Sequence, residues 1–134
     1  MPGYSGTPLP KKLGIKPGFR ACLADAPPEV HAALRASLAG CEIVRDGRSP
    51  LDFAMSFTRS KAVLAREFAR ISKQLAPAGM FWASWPKKSS GVPTDLDENI
   101  VREIGLAAGL VDVKVCAVTE VWSGLKFVRR VKDR

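Results

Sequence analysis

The stretch Trp85-Pro86-Lys87-Lys88-Ser89-Ser90-Gly91-Val92-Pro93-Thr94 concentrates groups that could bind a ligand. Two ammonium groups, several hydroxyls, a glycine and the start of a following helix would together suit a phosphate, a carboxylate or another anion. Trp85, Lys87, Lys88, Ser89, Ser90 and Thr94 are therefore the candidate ligand-binding residues. A competing reading makes this a solvated loop between Pro86 and Pro93 whose lysines only keep the domain soluble, and Asp95 and Asp97 weigh against an anion. Ser89 or Ser90 beside Lys88 suggests a nucleophile with an amine base, but no general-base spacing or oxyanion loop accompanies them, so no catalytic residue is assigned. No metal site is expected either. His31 is the only histidine, and Cys22, Cys41 and Cys116 are widely separated, which suits reduced packing thiols better than ligands or a disulfide framework.

The elements that must hold this loop can be followed along the chain. Residues 2–18, rich in proline and glycine, read as an extended lead-in segment. Phe19 to Ala24 suits a buried strand. Asp25-Ala26-Pro27-Pro28 ends it and opens a helix over 28–39, with Val30, Leu34 and Leu38 on one face, His31 off that face, and Gly40 at the cap. Cys41 to Arg45 and the alternating Phe53, Met55 and Phe57 give a second and third strand. Ser60 caps a helix bearing Leu64, Phe68, Ile71 and Leu75, which Pro77-Ala78-Gly79 stops before a strand from Met80 to Trp85. A third helix carries Leu96, Ile100, Ile104 and Ala107 to Gly109, with Asp95, Asp97 and Glu98 complementing its amino-terminal dipole. A hairpin of Val111 to Ala117 and Leu125 to Arg130 closes the chain.

Strands alternating with helices predict one α/β domain over 1–134, a small three-layer sandwich. Its sheet has about six mostly parallel strands and a carboxyl-terminal antiparallel hairpin. With 134 residues, of which 46% are apolar, an ordinary core forms without staples. No segment approaches the length of a membrane span, and a cytoplasmic protein is expected. The net charge of +8 creates a field attractive to anions, acidic proteins or nucleic acid. The basic residues are scattered, so no continuous stripe marks a nucleic-acid face.

The lead Leu13-Gly14-Ile15-Lys16-Pro17-Gly18-Phe19-Arg20 and the turn Gln74-Leu75-Ala76-Pro77-Ala78-Gly79-Met80-Phe81 resemble elements of S-adenosylmethionine-dependent methyltransferases, as does the closing hairpin. Gly3-Tyr4-Ser5-Gly6-Thr7-Pro8-Leu9, Trp85 to Gly91 and Trp122-Ser123-Gly124-Leu125 resemble a bacterial family of uncharacterised proteins, domain of unknown function 3052. That second resemblance covers nearly the whole chain. It implies a Rossmann-like, methyltransferase-like fold and carries no activity.

A cofactor of that superfamily needs glycines after the first strand, where the backbone must approach it closely. Here the loop has none, and Pro27 and Pro28 remove two backbone donors. The leading expectation is therefore a non-catalytic module without cofactor, binding an anionic small molecule or a protein partner at the Lys87–Thr94 loop. The alternative is an S-adenosylmethionine-dependent methyltransferase with an atypical loop, in which Asp25 or Asp46 contacts the amino-acid or ribose part. A nucleic-acid-binding protein is the third class.

Overall fold

The computed structural model describes residues 6–45 and 50–134. Six strands form one sheet in the order β2-β1-β3-β4-β6-β5: β1 Arg20–Ala24, β2 Glu42–Ile43, β3 Leu51–Phe57, β4 Leu75–Pro86, β5 Leu110–Ala117 and β6 Trp122–Arg129. β1 to β4 are mutually parallel, and β6 runs antiparallel to both β4 and β5. The expected α/β sandwich with its closing hairpin is what the chain adopts.

The central strands lie between two apolar layers. β3 is buried along nearly all its length, because Ala54 faces one layer while Phe53, Met55 and Phe57 face the other. Two helices, α3 Lys61–Ile71 and α4 Glu98–Ala107, cover the first face through Leu64, Phe68, Ile71 and Val101. On the second face lie α1 Leu9–Leu13 and α2 Pro28–Leu38, with Leu13, Val30 and Leu34 fully buried. Ser60 caps α3 as expected, its hydroxyl accepting from the Val63 amide at 3.2 Å. The cap of α4 is Asp97, whose carboxylate accepts from the Ile100 amide at 2.8 Å.

Several local expectations are corrected. The lead-in is not wholly extended: Pro10 sits in the first turn of α1, and the buried Trp82 indole donates to the Leu13 carbonyl at 3.0 Å, tying this helix to the sheet. Gly40 is not a left-handed cap, since α2 ends on right-handed Ala39. β2 spans only two residues. The Pro77-Ala78-Gly79 turn falls inside β4, where the register slips from Leu51 against Leu75 to Phe53 against Met80. The slip is held by the Arg129 guanidinium, which donates twice to the Leu75 carbonyl. Among the described residues no helix is long and apolar enough to cross a membrane.

Candidate functional site

The strand order reverses direction at β1: the chain passes outward to β2, then returns to β3 on β1's other side. Ligands of open α/β sheets bind in the crevice beyond the carboxyl ends of the strands at such a point. At the head of β1 stands Asp25, with φ of 58°, the one non-glycine residue with positive φ among those described. A left-handed aspartate performs the turn that glycine performs in other loops, at a cost of about 1–2 kcal/mol. Pro27 then caps α2 without a side-chain bond, and Pro28 occupies its first turn.

Facing this turn, α3 contributes Glu67 and Arg70. Their side chains meet at 3.5 Å, with Glu67 12% exposed and Arg70 43% exposed. Burial pushes the Glu67 carboxyl up; Arg70 and the nearby Ser56 hydroxyl oppose the shift and Asp25 adds to it. The Ser56 hydroxyl near the end of β3 and one Glu67 carboxyl oxygen are both buried, near each other but short of good hydrogen-bond geometry. Burial also pushes up the Cys22 thiol, partly offset by Arg70, which suits a packing role at neutral pH. Glu67 occupies the i+3 position after Leu64, directly on the apolar stripe. An acid on a buried helix face was the sequence signal for this cluster, and it was missed.

The raised Glu67 pKa predicts a pH dependence. The stability it gives the fold is complete below the ordinary glutamate value and is lost as pH rises through the folded-state value. The melting temperature of the native chain should therefore fall relative to Glu67→Gln as pH rises across that window. A native chain that holds level with the variant, or gains on it, as pH rises would contradict the assignment.

Two open cavities flank the crevice. One, of about 790 Å³, borders β1, α2 and the chain after β2, and carries Arg35, Arg45, Arg70 and His31. The other, of about 720 Å³, lies at the carboxyl end of β4 and is lined by Trp85, Lys87, Lys88, Ser89 and Thr94, together with Asp97 and Glu98. The fold thus brings most of the Trp85–Thr94 candidates together. Ser90 is in a short 3-10 turn, where its hydroxyl donates to the Lys87 carbonyl at 2.7 Å and accepts from Val92. The Thr94 hydroxyl donates to the Arg59 carbonyl at 2.7 Å and accepts from Leu96. These bonds shape the loop and bind it to the start of α3. Trp85 is 5% exposed and belongs to the core, while Trp122 packs edge-on against Phe57. Asp46 lies outside the described residues.

This is a methyltransferase-like Rossmann fold, and solved structures share it. A methyltransferase from Pyrococcus furiosus matches at a TM-score of 0.56 and 12% identity, over 89% of this chain and 78% of that one. A TehB-like SAM-dependent methyltransferase from Corynebacterium glutamicum matches at 0.53 and 10% identity, over 87% and 84%. The magnesium protoporphyrin IX methyltransferase of Synechocystis, with bound SAH, matches at 0.57 and 12% identity, over 85% and 75%. No family model matches the chain, and no curated protein matches it in sequence.

These neighbours overturn the expectation of a chain without cofactor: one is described as SAM-dependent and another holds SAH. The physical reason for the error lies at Asp25. A loop without glycine still makes a left-handed turn here, because aspartate is one of the few residues that enters that region at modest cost, and Pro27 and Pro28 follow only after it.

Proposed function

We propose that this chain is a small S-adenosylmethionine-dependent methyltransferase that reads its cofactor through an aspartate turn. The observation that carries the reading is Asp25, held left-handed at the head of β1 beside the sheet's switch point. A second observation supports the fit. Asp25 and Glu67 place two acids close enough to interact beside the crevice, a setting that suits a ligand bearing an ammonium and a sulfonium. When bound, the cofactor supplies an electrophilic methyl group. Asp25 would hold its amino-acid part, with Glu67 balancing positive charge from the α3 side.

The methyl acceptor belongs in the cavity of Trp85, Lys87, Lys88, Ser89 and Thr94, a large opening on the same edge of the sheet. Its lysines favour an anionic acceptor; Asp97 and Glu98 restrict where that charge can lie. Membership of the uncharacterised family, domain of unknown function 3052, belongs to this same reading and rests on the three short motifs quoted above.

Thermal unfolding with S-adenosylmethionine and S-adenosylhomocysteine tests the proposal. At 100 times its dissociation constant a ligand stabilises the native state by about 2.7 kcal/mol, a shift of several degrees at this size. Asp25→Gly keeps the left-handed turn and removes the carboxylate. It should melt at or above the native temperature and bind the cofactor at least about ten-fold more weakly, a loss near 1.4 kcal/mol. No saturable shift with either compound in the native chain would end this reading.

A further inference from the structure

At the end of the sheet away from the switch point, β6 carries a partly buried lysine that the methyltransferase reading leaves unused. Lys126 stands in register between Trp82 of β4 and Lys114 of β5, on the face that α1 covers. Like charges directly opposite one another in a ladder repel. The carbonyls at the end of α1 already have donors: Lys114 reaches that of Lys12 at 3.3 Å, and the Trp82 indole reaches that of Leu13 at 3.0 Å. Among the described residues the Lys126 ammonium has neither a hydrogen bond nor an ion pair.

The titratable groups around it are Lys114 and Cys116 from β5 and Lys11 and Lys12 from α1, while β4 presents only Met80, Trp82 and Ser84 on this face. Burial pushes the Lys126 ammonium down and Lys114 pushes it further, which favours the neutral amine. The Lys12 ammonium is anchored by the Ala117 carbonyl at 2.9 Å, and both it and Lys114 act on the Cys116 thiol, so their charges gather at one place. An open cavity of about 510 Å³ lies there, lined by Lys11, Lys12, Lys114 and Cys116 with no carboxylate among its described residues. A neutral amine is a nucleophile, and ammonium groups beside it take up negative charge released as it reacts. An acyl donor whose leaving group is phosphate meets both conditions.

We propose that Lys126 is an acylation site for an acyl phosphate, whose phosphate rests against Lys12 and Lys114. The amine lone pair attacks the acyl carbon, the bond from that carbon to the phosphate oxygen breaks, and its electron pair leaves with the phosphate. The amine proton passes to water, and Lys126 becomes a neutral amide. Its repulsion with Lys114 then ends. The inference goes beyond the methyltransferase reading and does not depend on it.

Incubation of the full chain with acetyl phosphate at neutral pH, followed by peptide mass spectrometry, tests it. Lys126 should gain its acetyl group on the order of ten-fold faster than the exposed Lys61 and Lys73, which serve as internal references. Lys114→Gln removes the opposing charge. It should slow Lys126 several-fold with acetyl phosphate and less with N-hydroxysuccinimidyl acetate, a neutral donor that has no phosphate to hold. Lys114→Arg keeps the charge and should keep the native rates with both donors. Circular dichroism confirms that each variant folds. Three results would overturn the proposal: acetylation of Lys126 no faster than that of Lys61 and Lys73, a rate indifferent to Lys114→Gln, or equal slowing of that variant with both donors.

Discussion

Trp82→Ala should destabilise the chain by about 3–5 kcal/mol, lowering the melting temperature by roughly 10–20 °C. Trp82 is completely buried in the middle of β4, on the face covered by α1 and α2. Its removal opens a cavity in a strand that has neighbours on both sides, leaving little room for collapse. The indole also donates to the Leu13 carbonyl at 3.0 Å across 69 residues of sequence, so its loss frees α1 as well. Trp82→Phe separates the two effects: the ring stays largely filled, while the lost bond should cost about 1–3 kcal/mol. Denaturant unfolding of both variants measures the difference. If Trp82→Phe proves as damaging as Trp82→Ala, the hydrogen bond and not the packing dominates, contrary to this account.

Phe68→Ala should be comparably severe, about 3–5 kcal/mol, and should also disturb the site. Phe68 is fully buried on α3 and packs edge-to-face with Phe81 at 4.8 Å and Phe127 at 4.9 Å. Such pairs add about 0.5–1.5 kcal/mol beyond burial of area. Phe127 is confined from the other side, because a side chain at Gly105 of α4 would collide with its ring. The three rings and the two helices therefore form one packed unit, and Glu67 precedes Phe68 in sequence. The expected signature is a large fall in the denaturation midpoint together with a flattened pH dependence, because Glu67 loses the burial that raises its pKa. A destabilised variant that keeps the native pH profile would show Glu67 to be held independently of the aromatic cluster.

The element order was legible because each signal was local. Ser60 and the stripe Leu64, Phe68 and Ile71 define α3 within one stretch of chain, and Asp97 with Ile100 and Ile104 does the same for α4. Alternation of strands and helices then left few topologies, and the methyltransferase-like sandwich was among them. The place of the Trp85–Thr94 loop at the carboxyl end of β4 was legible too, since a loop after a parallel strand opens on that edge, while its binding role belongs to the proposal. Two boundaries failed where long-range bonds outweigh local preference. α1 forms in a segment rich in proline because Leu13 is buried under the sheet and tied to Trp82, and β4 continues through Pro77 to Gly79 because Arg129 and the register with β3 hold Leu75.

By itself the sequence determined the class of fold, the number of layers and the Ser60 cap, because hydrophobic period and capping chemistry act over a few residues. Only the tertiary structure decided the site. The backbone angle of Asp25 is set by the sheet and helix it joins, and no residue type announces it. Arg35, Arg45 and Arg70 stand 10 and 25 residues apart in the chain and line one cavity only when β1, α2 and α3 are packed together. Their shared cavity, like the burial of Glu67, is a property of positions in space.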